Sequence, residues 1–197
     1  MIAIYLSQKN AEASNKAAKL GIKPLFCLPF SSKLEWNSID AVLIEAANIK
    51  ELNSLIAKVA ARKKLVIVHG SNDAVNRAAL ESKRVWMLLS PEHKRKHDFL
   101  DMRNSGLNHV LCELARKNNV TIGESINEIL EKQGKERAEL LARIAQNIKL
   151  CRKYGCTILL LSCTNQLIFS SHEIREMAFS LGFSTQQLKE LEKYNSY

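Results

Sequence analysis

Three features of this 197-residue sequence predict an α/β protein folded as a small TIM-barrel-like (β/α) barrel. Short apolar runs recur with little polar alternation, as expected of strands covered on both faces in a parallel sheet. Helical patterns separate most of them, giving strand–helix units about 20 to 30 residues apart. The turn after the first run, "YLSQKNAEAS", lacks the GxGxxG or GxxxxGK[ST] glycines with which an open nucleotide-binding sheet approaches phosphates, which favours the closed barrel. Such barrels take about 250 residues, so some helices must be short or missing, most naturally after "PLFCL" and around Pro91. No linker or low-complexity run divides the chain, and residues 1–197 are expected to form one domain.

Taken in order, the first strand is expected over Ile2–Leu6, because "IAIYL" is apolar and no basic stretch or signal-peptidase site marks an export signal. A helix over Asn10–Leu20 leads to a strand at Pro24–Leu28, then one at Ala41–Ala46. Helix Ile49–Arg62 and strand Leu65–Gly70 follow. Helix Asn72–Ser82 starts from Ser71 or Asn72 as its cap and leads to strand Val85–Ser90. "DFLD" (Asp98–Asp101) reads as a weak strand, and Ser105 or Gly106 can open a helix over Leu107–Asn118, closed by Asn118-Asn119. Strand Val120–Ser125, helix Lys135–Tyr154 ending at Gly155, and strand Thr157–Ser162 complete the barrel pattern. Helices His172–Leu181 and Thr185–Tyr194, the second preceded by Ser184, finish the chain.

A net charge of +9 and a pI near 9.4 favour a polyanionic partner, since clustered Lys and Arg release counterions from phosphates. The longest apolar runs, such as "TILLLSC", fall well short of the roughly 18 to 20 residues of a membrane span. The five cysteines form no CxxC pair, and four lie within apolar patterns, so they read as reduced, buried small hydrophobes of a cytosolic protein. Aromatic residues make up only 6%, with no strand rich in them, so any RNA would be held by backbone shape and charge rather than by base stacking.

In a parallel barrel, function gathers at the carboxyl ends of the strands, here Ser7, Glu45, His69, Ser90, Asp101, Glu124 and Ser162. Glu45, His69, Asp101 and Glu124 could assemble the mouth of a metal-dependent phosphoesterase, yet no HxH, HExxH or CxxC supports a metal. His93 and His97 stand at i, i+4 spacing, but Lys94, Arg95 and Lys96 between them repel a cation, and "PEHKRKHD" is expected to be an exposed basic loop. Such a loop can reach phosphate oxygens without base geometry. Arg116, Lys117, Arg152 and Lys153 end helices, where cations also complement the helix dipole.

The turn before the Leu107–Asn118 helix adds Arg103, Asn108 and His109. Free backbone N–H groups there favour anions, and Arg103 can grip a phosphate with two donors. "SGLNHVLCELARKNNVTIGES" (Ser105–Ser125), preceded by an acid-ended segment and Arg103, resembles protein component 3 of archaeal ribonuclease P, the counterpart of the thirty-kilodalton-class eukaryotic subunit. The likeness continues more weakly through "LLARIAQNIKLCRKYGCTILLLSC" (Leu140–Cys163) and "SLGFSTQQLKEL" (Ser180–Leu191). It covers about residues 64 to 192. Phe169, Ser170 and Ser171 stand where that family often has an Arg-x-Pro setting, leaving Arg175 as a partial substitute.

The resemblance implies a barrel related to the polymerase and histidinol phosphatase superfamily without its metal chemistry. It also implies a protein that supports an RNA subunit in removing the 5′ leader of precursor tRNA. Its protein partner would be the small subunit related to processing-of-precursors protein 5, and magnesium would belong to the RNA, with no cofactor on the protein. RNA contacts are expected from Arg103, His109, Arg116 and Lys117, with Lys94, Arg95, Lys96, Arg152 and Lys153 in electrostatic support. Two rival readings are the phosphoesterase above and a scaffold that binds only protein.

Overall fold

Parallel pairing joins β1 (Ile2–Tyr5), β2 (Lys23–Pro29), β3 (Ala41–Ile44), β4 (Leu65–His69), β5 (Met87–Leu89), β6 (Thr121–Ser125), β7 (Ile158–Leu161) and β8 (Cys163–Thr164) in the order β7-β6-β5-β4-β3-β2-β1-β8. The computed structural model describes residues 2–31, 33–164 and 169–193. Only Ser162 separates β7 from β8, so the two form one bent stave. Its first part pairs with β6 and its second with β1, and Ile4 N–H donates to the Ser162 carbonyl at 2.9 Å. The barrel predicted from the sequence therefore closes, but with β8 rather than Asp98–Asp101 as the eighth strand.

Asp98–Asp101 is not a strand. It lies in the long loop between β5 and the helix that starts at His109, with Phe99 58% and Leu100 fully exposed. An acid at each end and two apolar residues turned outward leave nothing to fill a barrel interior. Val85–Ser90 also contracts, to Met87–Leu89, because Ser90 takes a left-handed φ of 47° and leads the chain across the mouth.

The helices are α1 (Ala11–Lys19), α2 (Ile49–Ala60), α3 (Asp73–Glu81), α4 (His109–Asn118), α5 (Ile126–Glu131), α6 (Gly134–Tyr154), α7 (Ser171–Ser180) and α8 (Thr185–Lys193). Asparagine opens each of the first four: Asn10, Asn48, Asn72 and Asn108 accept the N–H three residues on through their side-chain oxygens. So α4 begins at His109 behind Asn108, not at Ser105 or Gly106. Asn119 and Gly155, both left-handed, end α4 and α6 as expected. The six-residue α5 was not expected, since so short a pattern carries no periodic signal. Among the described residues between β2 and β3, a 3-10 turn, Trp36–Ser38, stands in place of a helix. Tyr194, the expected last residue of the final helix, lies outside the described residues.

Strand residues such as Ala41, Val42, Ile44, Ile67 and Val68 are wholly buried, and helices cover them with stripes such as Leu52, Ile56 and Val59 of α2. Burying each such large side chain stabilises the fold by about 1.5–3 kcal/mol. Among the described residues no helix is long and apolar enough to cross a membrane.

Candidate functional site

The strand ends bring acids and imidazoles together at the barrel mouth. His69, at the end of β4, lies between two carboxylates, its Nδ1 3.4 Å from Glu45 Oε1 and its Nε2 3.1 Å from Glu128 Oε1. An imidazolium donates to both. Burial works against that charge, yet the bonds to Glu128 and Glu45 outweigh it and raise the His69 pKa above the usual histidine value. Glu128, in the first turn of α5, also accepts from Ser90 Oγ at 2.6 Å and from His93 Nδ1 at 3.0 Å. Burial would raise its pKa, but bonds from His69, His93 and Ser90 hold it well below the ordinary carboxylate range. The His69 and His93 rings pack with centroids 3.9 Å apart.

Behind this cluster two acids are sealed in. Glu92 and Glu124 are 2% and 0% exposed, and Asn147 Nδ2 on α6 donates to both, at 3.3 and 3.1 Å. Burial lifts Glu92 to about 7 and Glu124 well above its ordinary value, the neighbouring carboxylates adding to the rise. Two such acids in contact hold at least one proton between them at neutral pH.

The loop from Ser90 to Gly106 lies over this mouth and is tied down at named points. Asp98 accepts from Arg143 Nε and Arg103 Nη1, each at 2.8 Å, and from Asn104 N–H at 2.9 Å. Burial would raise the Asp98 pKa, but these donors bring it down to about 2. Gly106 sits at φ +73°, where an added Cβ would fall 1.9 Å from the Pro91 carbonyl oxygen. Asn76 Nδ2, fully buried, donates to the carbonyls of both Pro91 and Gly106, at 2.9 and 3.4 Å. The glycine of the "SGLNH" turn is thus required by close backbone packing.

The residues expected to hold RNA fall into two groups. At the mouth, Lys94 and Lys96 are exposed, and Arg103 is half-exposed with one donor turned inward to Asp98. Arg95 differs: its side chain is only 8% exposed, it pairs with Asp73, and its Nε and Nη2 have no hydrogen-bond partner among the described residues. His93 is corrected as well. Expected on an exposed loop, it faces into the mouth against Glu128. At the opposite rim, Arg116 and Lys117 end α4 and Arg152 and Lys153 end α6; the two helices pack together, and all four side chains are exposed. His109 is exposed on the first turn of α4, its ring 6.2 Å from that of Tyr154, while the Asn108 cap takes up the Leu111 N–H. Arg175 pairs with Glu192 at 3.5 Å, and Ser170 caps α7.

The hydrolytic ring suggested by the sequence does not assemble. Glu45 and His69 adjoin, but Glu124 is buried beside Glu92, and Asp101 is exposed on a loop. Donor atoms of His69, His93 and Glu128 lie within 4.8 Å of one another, near enough for one cation. In this structure those atoms bond to one another and to neighbouring groups. Both ring nitrogens of His69 face carboxylates, Glu128 already receives three donors, and Lys94 Nζ stands 3.6 Å from Glu45 Oε2. Glu92, Asp98, Glu128, Arg143 and Asn147 escaped the sequence reading. The one legible signal was Glu128 standing four residues after Glu124 at a strand–helix junction.

Ribonuclease P protein component 3 of Methanosarcina acetivorans is 38% identical over 141 residues, 71% of this chain and 54% of that protein. That of Methanosarcina mazei is 34% identical over 137 residues, 70% and 52% respectively. The chain thus spans about half the length of these curated relatives. A chain in a cryo-EM structure of archaeal ribonuclease P with mature tRNA shares the fold, with TM-score 0.76 and 22% identity over 99% of this chain and 89% of its own. An amidohydrolase crystal structure is more distant, with TM-score 0.56 and 9% identity over 96% and 61%. The family model for RNase P subunit p30 matches residues 8–195, both basic rims and the closing stave included, and the chain belongs to that family.

Proposed function

We propose that this chain is a non-catalytic protein subunit of ribonuclease P, acting in the cytosol with an RNA that removes the 5′ leader of precursor tRNA. The carrying observation is the set of exposed cations Lys96, Arg116, Lys117 and Arg152, which make no ion pair among the described residues, on a barrel of this family. Cations free of acidic partners are available to displace counterions from RNA phosphates. The mouth supplies rigidity: His69, Glu128 and Asp98 hold the Ser90–Gly106 loop so that Lys94, Lys96 and Arg103 are presented in fixed positions. Magnesium in this reading belongs to the RNA, and the small subunit related to processing-of-precursors protein 5 is the protein partner.

Reconstitution tests the reading. The chain is added to the RNA and the remaining subunits at physiological magnesium, and leader removal is followed. A rise in turnover or substrate affinity is expected, and an unchanged rate on omitting the chain overturns the proposal.

A further inference from the structure

Cys112, Cys151 and Cys156 meet from three pieces of chain. Cys112 lies in the first half of α4, Cys151 in the last turn of α6, and Cys156 just after the left-handed Gly155. That turn folds the chain back, with Cys156 N–H donating to the Cys151 carbonyl at 3.1 Å, and so returns the third thiol to the second. The three sulfurs lie within 4.8 Å of one another, all three residues are buried, and none is in a disulfide. Thiolates bound at about 2.3 Å around one centre stand about 4 Å apart. Small rotamer changes would therefore close this set on an ion.

A single buried thiol is explained as a small hydrophobe. Three from separate elements, converging on one point, make a ligand set. No histidine or carboxylate among the described residues joins the group, so it offers three soft ligands and no fourth. Its negative charge would be offset nearby: the Arg116 stem passes 3.6 Å from the position of a Gly155 Cβ, and Arg152 and Lys153 follow Cys151 in the chain. A cleft of about 130 Å³ lies beside the group, lined by Ala115, Arg116, Gly155 and Thr157, the last two being the chain neighbours of Cys156.

We propose that Cys112, Cys151 and Cys156 bind one thiophilic d10 metal ion at the amino-terminal end of the barrel, and that the ion is Cu(I). Three thiolates suit trigonal Cu(I), whereas Zn(II) in structural sites takes four ligands. Loading exchanges thiol protons for the metal, releasing them to solvent, and changes no oxidation state. The bound ion would clamp α4 to α6 and to the entry of β7, the same junction that carries Arg116, Lys117, Arg152 and Lys153. The inference is independent of the ribonuclease P reading.

The test is anaerobic titration of the reduced full chain with Cu(I) against a chromogenic Cu(I) chelator. One ion per chain is expected, with thiolate-to-copper charge-transfer absorbance in the near ultraviolet. Cys112→Ser, Cys151→Ser and Cys156→Ser should each weaken binding at least tenfold. Cys27→Ser and Cys163→Ser should leave it unchanged. Because a buried hydroxyl can itself loosen the fold, the alanine variants are measured beside the serine ones, with circular dichroism confirming that each is folded. Absence of uptake by the reduced parent, or affinity that survives in folded variants of all three positions, overturns the site.

Discussion

Arg143 Nε donates to Asp98 Oδ1 at 2.8 Å across 45 positions of sequence, and the two side chains are only 7% and 15% exposed. This bond pins the mouth loop to α6. Asp98→Ala would leave Arg143 buried without its carboxylate, and a loss of about 3 kcal/mol is expected in chemical denaturation. The pH sign follows from the lowered Asp98 pKa. Its contribution is present above the unfolded value of 3.8 and is lost as pH falls through about 2. Asp98→Asn should therefore flatten the acid limb of the stability profile; an unaltered limb rules the ion pair out as its source.

Glu92 and Glu124 give the opposite sign. Their raised pKa values mean that the folded state keeps a proton which the unfolded chain releases above the ordinary value of 4.5. Stability from this pair is highest in acid and declines as pH rises toward about 7. Glu124→Gln keeps the oxygen that accepts from Asn147 and removes the titration, so it should stabilise the protein at pH 8 by on the order of 1 kcal/mol and have little effect at pH 4.5. Melting curves at the two pH values decide it.

Exposure separates neighbouring cations in the mouth loop. Lys94→Ala combined with Lys96→Ala should reduce the salt dependence of RNA binding by about two units of log–log slope, with stability unchanged. Arg95→Ala should leave the slope alone and lower stability by about 1–2 kcal/mol, because its side chain is buried against Asp73. Equal slope changes for both variants would contradict the burial of Arg95.

Gly106→Ala tests the turn itself. Both a positive φ and the Pro91 carbonyl oppose the added methyl, and a loss of about 4 kcal/mol or outright misfolding is expected. Asn108→Ala, which only removes the α4 cap, should cost about 1 kcal/mol. Thermal unfolding of the pair ranks the two effects.

Much of the barrel was legible because buried parallel strands are written as apolar runs. Helix starts were less so, since the sequence leaves Asn72 as one of two caps and points to Ser105 or Gly106 instead of Asn108 for the start of α4. Asp98–Asp101 misled because two apolar residues between acids match a short strand locally, whereas the Arg143 partner that holds them in a loop lies far along the chain. The mouth was half legible. Glu45, His69 and Glu124 stand at strand ends where spacing finds them, but Glu92 and His93 lie in a segment whose lysines suggest solvent. Their inward turn is set by Ser90 and by a carboxylate on α5, a helix too short to leave a periodic trace.

The bend at Ser162 makes one stave serve both edges of the barrel, and among the described residues its second part meets β1 through two register pairs, Ile4 with Cys163 and Tyr5 with Thr164. Among the described residues that seam has the shortest run of paired positions. Amide hydrogens of the first stave should accordingly exchange with deuterium sooner than those of β3 and β4, through brief unzipping that leaves the rest of the cylinder intact.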